Sequence, residues 1–264
     1  MIRSGLVSVT FRKLPPTEVV ALAAGAGLEA IEWGGDAHVP PEDLAAADRI
    51  GRMTRDAGLA VASYGSYYRL GDQQEAPARA VLAAASALGA PVVRVWAGRL
   101  ASRKADADFR QRVIHEARRM GDQAADLGLV LACEFHGGTL TDTNVSARRL
   151  MEEINHPRVQ TYWQPPVGAT VEYCLAGLEA VGPWLCNLHV FHWLAEPKAR
   201  LALAEGEQVW RQYLAKAAST GKDLHAMLEF VRDDSAEAFA EDARTLKRWL
   251  AELNAGPNVA PTRS

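Results

Sequence analysis

The sequence predicts an α/β fold, a closed (β/α)8 TIM barrel, on three observations. Eight short, β-rich apolar runs recur at intervals of roughly 24 to 40 residues. Ala- and Leu-rich stretches of helical period lie between them. No long linker divides the chain, which has 264 residues, an ordinary length for one such barrel. The alternative, a doubly wound open sheet, calls for a glycine-rich phosphate turn after the first strand. The first strand is followed instead by Arg12-Lys13-Leu14-Pro15-Pro16-Thr17-Glu18, which contains no glycine.

The strands are read in order as Gly5–Phe11, Glu29–Gly35, Ala60–Ser66, Pro91–Gly98, Leu129–Gly138, Val159–Pro165, Cys186–Trp193 and His225–Val231. A helix is predicted from Pro15, with Pro16 near its start and Gly27 near its end. Further helices are predicted over Asp43–Leu59, Ala76–Ala90, Asp106–Leu129 and Val209–Asp223. Several close on a glycine followed by Leu or Ala, a helix stop that opens the next strand. Residues 1–254 are read as one barrel domain. The remainder, 255–264, mixes Gly, Pro and Asn without apolar period and is expected to be a flexible tail.

Composition narrows the function. Hydrophobic residues make up 48% and charged residues 23%, enough to bury a large core. The net charge of −3, from 29 basic and 32 acidic residues, argues against a nucleic-acid partner. Cys133, Cys174 and Cys186 are odd in number and lack CxxC spacing, so neither a disulfide framework nor a thiolate zinc site is expected. No apolar run reaches the ~20 residues that span a bilayer, and the first residues carry no long apolar signal region. The expectation is a cytoplasmic protein with no membrane partner.

In such a barrel, chemistry gathers at the C-terminal ends of the strands. There the fifth strand offers Glu134, the sixth Gln164, the seventh His189 and the eighth Glu229. Polar groups on a buried rim are costly unless paired or metal-bound. Two carboxylates, an imidazole and an amide oxygen suit a divalent cation, Mn2+ first, with Mg2+, Co2+ or Zn2+ as alternatives. Each residue also has a plainer reading. Glu134 could pair with Arg94, which points inward if its strand alternates. Glu32 could bind substrate or lock Arg94. Gln164 could be a hydrogen-bonding neighbour of the site. His192 competes with His189 but falls on the opposite face of an ideal strand.

The order Glu134, Gln164, His189, Glu229, with Glu134-Phe135-His136-Gly137-Gly138 and the run from His189 through Arg200 to Leu201-Ala202-Leu203-Ala204-Glu205-Gly206-Glu207-Gln208-Val209-Trp210, resembles the sugar phosphate isomerase/epimerase family. This is the xylose isomerase-like TIM barrel superfamily (AP endonuclease family 2). It includes tagatose and psicose epimerases, hydroxypyruvate isomerases, inosose dehydratases and endonuclease IV. The likeness covers nearly the whole chain, with one departure: the family's sixth-strand ligand is usually Asp, often with a His three residues later, where this chain has Gln164 and Val167.

The resemblance implies a metal-dependent sugar or keto-sugar isomerase or epimerase that moves a proton next to a carbonyl through an enediolate. Glu134 and Glu229 would be ligands and acid/base groups, with Gln164 and His189 completing the metal set. His136 and Arg200 would contact substrate oxygens. Glu32, Trp33, Tyr64, Trp96 and Trp163 lie near strand ends and are candidate substrate contacts, the rings as sugar platforms. A dehydratase acting on a keto-inositol or keto-sugar is the alternative enzyme, and a non-catalytic sugar-binding barrel is suggested by Gln164. Endonuclease IV chemistry needs further His, Asp and Glu ligands that the first four strand ends lack, apart from Glu32. A non-phosphorylated carbohydrate is the expected partner, and a homodimer or homotetramer is what the resemblance implies.

Overall fold

A computed structural model of the chain describes residues 1–72 and 75–255. Its strands are β1 (Ile2–Val7), β2 (Ala30–Gly34), β3 (Ala60–Arg69), β4 (Val92–Trp96), β5 (Val130–Glu134), β6 (Val159–Trp163), β7 (Leu185–Val190), β8 (Trp193–Leu194), β9 (Ala199–Arg200) and β10 (Leu224–Leu228). Eight of them close a parallel barrel in the order β1-β2-β3-β4-β5-β6-β7-β10, with β10 returning to pair with β1. β8 and β9 form a separate antiparallel hairpin above β7. The (β/α)8 TIM barrel predicted from the sequence is the fold of the chain. The predicted tail falls almost wholly at 256–264, outside the described residues.

Helices α1 (Pro16–Gly25), α2 (Leu44–Asp56), α3 (Glu75–Leu88), α4 (Ala107–Asp126), α5 (Asn144–Ile154), α6 (Val171–Val181), α7 (Glu207–Ala218) and α8 (Ala236–Ala255) follow the strands in turn. Asp43, Asp106, Thr143 and Thr170 accept backbone N–H groups at the starts of α2, α4, α5 and α6, meeting donors that a helix leaves open. Gly58 and Gly128 take φ of 79° and 71° just past α2 and α4, with nothing near the position of a Cβ. Their role is conformational: a left-handed residue turns the helix end into the next strand.

Alternation along each strand splits the core in two. Leu6, Ile31, Val93, Leu131 and Leu188 face outward into the layer shared with the helices. Val7, Ala30, Ala62, Ala132, Tyr162 and Met227 fill the barrel interior. The first strand begins three residues earlier than the sequence suggests, because Ile2–Leu6 pairs with Leu224–Leu228. Ser8–Phe11 is a turn of 3-10 helix instead. Gly5 is required on β1, since a Cβ there would lie 2.8 Å from Met227 Cγ.

Candidate metal centre at the barrel mouth

The mouth is built by period-two geometry. On β4, Arg94 and Trp96 point into the barrel, two residues apart. Glu134 closes β5, while Gln164 and Glu229 sit one residue beyond β6 and β10. β7 carries His189, its ring wholly buried with its plane nearly perpendicular to Tyr162, centroids 5.1 Å apart. An irregularity in the β2–β3 register pairs Glu32 with Ser63 and brings both to the same interior layer.

Three polar groups converge on one nitrogen. His189 Nδ1 lies 2.9 Å from Gln164 Oε1, 3.5 Å from Glu229 Oε2 and 3.6 Å from Glu134 Oε1. Gln164 Nε2 also reaches Glu134 Oε1 at 3.4 Å. One ligand atom from each of Glu134, His189 and Glu229 lies within 4.8 Å of the other two, and all three residues are buried.

A second layer of contacts holds this set from below. Arg94, 2% exposed, donates through Nε to Glu32 Oε1 at 2.8 Å and through a terminal nitrogen to Glu134 Oε2. Trp96 Nε1 also donates to Glu134 Oε2, at 2.5 Å. Ser63 Oγ donates to Glu32 Oε2 at 2.7 Å. His189 Nε2 faces Glu32 Oε1 at 3.4 Å but makes no hydrogen bond of good geometry.

Electrostatics separate the two rim carboxylates. Burial disfavours charge on Glu134, but Arg94, His189 and His136 together outweigh it and hold this carboxyl well below the usual range. Glu32 is likewise buried, yet Arg94 and then His189 bring it down to about 2. Glu229 is raised, first by burial and then by repulsion from Glu134 and Glu32, despite attraction to His189 and Arg94. Burial opposes charge on His189, but Glu229 and Glu32 outweigh it and push the imidazole up to about 10. Three buried carboxylates facing one buried guanidinium and one imidazolium remain one positive charge short. A divalent cation among Glu134, Gln164, His189 and Glu229 would supply it, and the donor set of oxygens and one imidazole nitrogen fits such an ion.

The predicted contacts divide. Trp96 is at the mouth, its ring stacked on His136 at 4.8 Å with the Arg69 guanidinium 3.7 Å above it. Arg200 lies on β9, bonded to Asp234 at 2.5 Å and 4.9 Å from the Phe230 ring centre. Glu32 sits beneath the rim, fully buried and bonded to Arg94, as the plainer reading has it. Trp33, Tyr64 and Trp163 are not brought to the mouth. Trp33 Nε1 bonds Thr54 on α2, Tyr64 Oη bonds the Val39 carbonyl, and Trp163 packs on Trp210 and Tyr213 of α7. Their outward direction follows from alternation, since Trp33 and Trp163 adjoin the inward Glu32 and Gln164.

Two rim residues escape the sequence reading. Tyr67 and Phe230 adopt left-handed backbone, φ 59° and 53°, unusual for aromatic side chains. Tyr67 sits 5.1 Å from the Arg94 guanidinium and accepts a hydrogen bond from Arg12. Phe230 follows Glu229, and its amide donates to Thr10 Oγ1. No local sequence signal marks either backbone turn.

No helix among the described residues is long and apolar enough to cross a membrane. Comparison with curated proteins found no match. Among solved structures, the chain is similar to the probable 3-DHS dehydratase AsbF of petrobactin synthesis from Bacillus anthracis. That likeness has a TM-score of 0.77 at 17% identity, covering 94% of this chain and 99% of the other. It is similar to a xylose isomerase-like TIM barrel protein from Mycobacterium smegmatis in complex with magnesium, with a TM-score of 0.74 at 18% identity, covering 95% and 97%. It is also similar to D-psicose 3-epimerase with D-tagatose from Clostridium cellulolyticum H10, with a TM-score of 0.69 at 12% identity, covering 95% and 99%. At these identities the likenesses speak to fold. A family model described as xylose isomerase-like TIM barrel matches residues 20–253, and with the closed barrel already in view, the chain belongs to that family.

Proposed function

We propose that the protein is a divalent-metal-dependent sugar or keto-sugar isomerase or epimerase, moving a proton at the carbon next to a carbonyl. The observation that carries this reading is the convergence of Glu134, Gln164 and Glu229 on His189 Nδ1. These four residues would hold the cation, which polarises a bound carbonyl and acidifies the neighbouring C–H. The similar epimerase and the similar magnesium-bound protein support the choice.

Glu229 takes the proton from carbon. Its carboxylate makes no side-chain hydrogen bond among the described residues, and burial favours its protonated form. Glu134 stays ionised, with Oε2 occupied by Arg94 and Trp96, and presents only Oε1 to the mouth. His136 and Arg200 on the rim offer donors to substrate oxygens. Trp96, its ring covered by His136 and Arg69, braces Glu134 through Nε1.

That asymmetry also favours a second reading. One free carboxylate suffices to remove a proton and assist loss of a β-hydroxyl, which is dehydration, while epimerisation needs a donor on each face. The similar dehydratase is consistent with it. Incubation with Mn2+ and a panel of keto-sugars and keto-inositols in D2O separates the two. Deuterium at the α-carbon of recovered or epimerised sugar supports the first reading, and an unsaturated ketone with released water supports the second. Absence of both across the panel, with no bound divalent ion, would leave a sugar-binding barrel.

A further inference from the structure

We propose that Glu32 and Arg94 are positioning residues that select which nitrogen of His189, and which oxygen of Glu134, faces the cation. The inference rests on the metal-binding reading above. Glu32 Oε1 is shared: it accepts from Arg94 Nε at 2.8 Å and faces His189 Nε2 at 3.4 Å. Glu32 Oε2 is held by Ser63 Oγ at 2.7 Å, so its carboxylate cannot rotate freely. His189 Nε2 is buried and lacks any well-formed hydrogen bond. A buried donor in that state is costly, and the nearest acceptor is Glu32.

A neutral imidazole carries one proton. When Nδ1 binds a cation, that proton sits on Nε2, which faces Glu32 Oε1 at 3.4 Å. The ring is then anchored from behind by a carboxylate, and Nδ1 is left open toward Gln164, Glu134 and Glu229. Arg94 does the matching work on the other side. With Trp96 it occupies Glu134 Oε2, so Oε1 alone is offered and Glu134 ligates through a single oxygen. One guanidinium thus ties the fixed carboxylate beneath the ring to the carboxylate on the rim.

The test is Mn2+ affinity, by calorimetry and by the electron paramagnetic resonance of free Mn2+, on the full chain. Glu32→Gln is expected to weaken binding about 10- to 100-fold. Ser63→Ala, which only loosens Glu32, is expected to weaken it less. Far-UV circular dichroism and unfolding in chelator check that each variant folds. A second measurement needs no variant. In 15N-histidine-labelled wild-type protein loaded with diamagnetic Mg2+ or Zn2+, His189 is expected as the Nε2–H tautomer with the ion on Nδ1. Unchanged Mn2+ affinity in folded Glu32→Gln, or a proton on Nδ1 in the loaded wild type, overturns the positioning role while the metal centre stands. Wild-type protein that binds none of these ions overturns both.

Discussion

Glu229 and Glu134 are the same amino acid on one rim, and what surrounds them makes them different reagents. Glu134 gives one oxygen to Arg94 and Trp96 and is held ionised. Glu229 is only approached by His189 and is raised by burial. Glu229→Gln should therefore lower turnover by about 10² to 10⁴ with little change in unfolding midpoint, as a lost acid/base group does. Equal turnover in that variant would remove Glu229 from the chemistry. His189 adds a dependence on pH. Without a cation its neighbours keep it protonated up to about 10, and that proton must leave before Nδ1 can ligate. Mn2+ affinity should rise with pH, by about tenfold per unit through the neutral range, with one proton released per ion. An affinity that stayed flat between acidic and neutral buffers would show that His189 is not a ligand.

At the scale of elements, a site assembled from strand ends is legible wherever alternation and the barrel rule act together. Glu134, Gln164, His189 and Glu229 each end an apolar run, and parallel closure puts those ends on one rim. The same alternation, carried one residue further, sends Trp33 and Trp163 outside. Proximity to a strand end is therefore a weaker guide than parity along the strand. Tyr64 was hidden by the irregular β2–β3 register, and Tyr67 and Phe230 by left-handed turns with no glycine to announce them. The β8–β9 hairpin was also out of reach, since two-residue strands leave no periodicity to read. One further element carries a prediction. Asp242 of α8 accepts the Leu203 amide at 2.8 Å, and burial pushes its carboxyl up to about 6 from an ordinary value near 3.8. The folded state thus binds the proton more tightly than the unfolded chain, so this group lowers stability as pH rises from about 4 through 6. Asp242→Asn keeps an acceptor for Leu203 and removes that cost. It should stabilise the protein by roughly 1–2 kcal/mol at neutral pH. Urea unfolding at acidic and neutral pH should show the gain shrinking as pH falls toward 4.

For the molecule as a whole, architecture was the most legible level. Repeating strand–helix units of near-equal length have few ways to bury both faces of a parallel sheet, and a closed barrel is one that needs no edge. The centre it frames has a property of the ensemble that no single side chain has. Glu32, Glu134 and Glu229 carry three negative charges, and Arg94 with a dication carries three positive ones. Gln164 stands where an aspartate would have left an excess of one. With an ion bound, this inner set would balance, and uncharged polyols should be captured without long-range steering. Their KM should hardly change as ionic strength is raised several-fold. In Gln164→Asp the balance tips, and ligands bearing a carboxylate should bind that variant more weakly in dilute buffer than in concentrated salt.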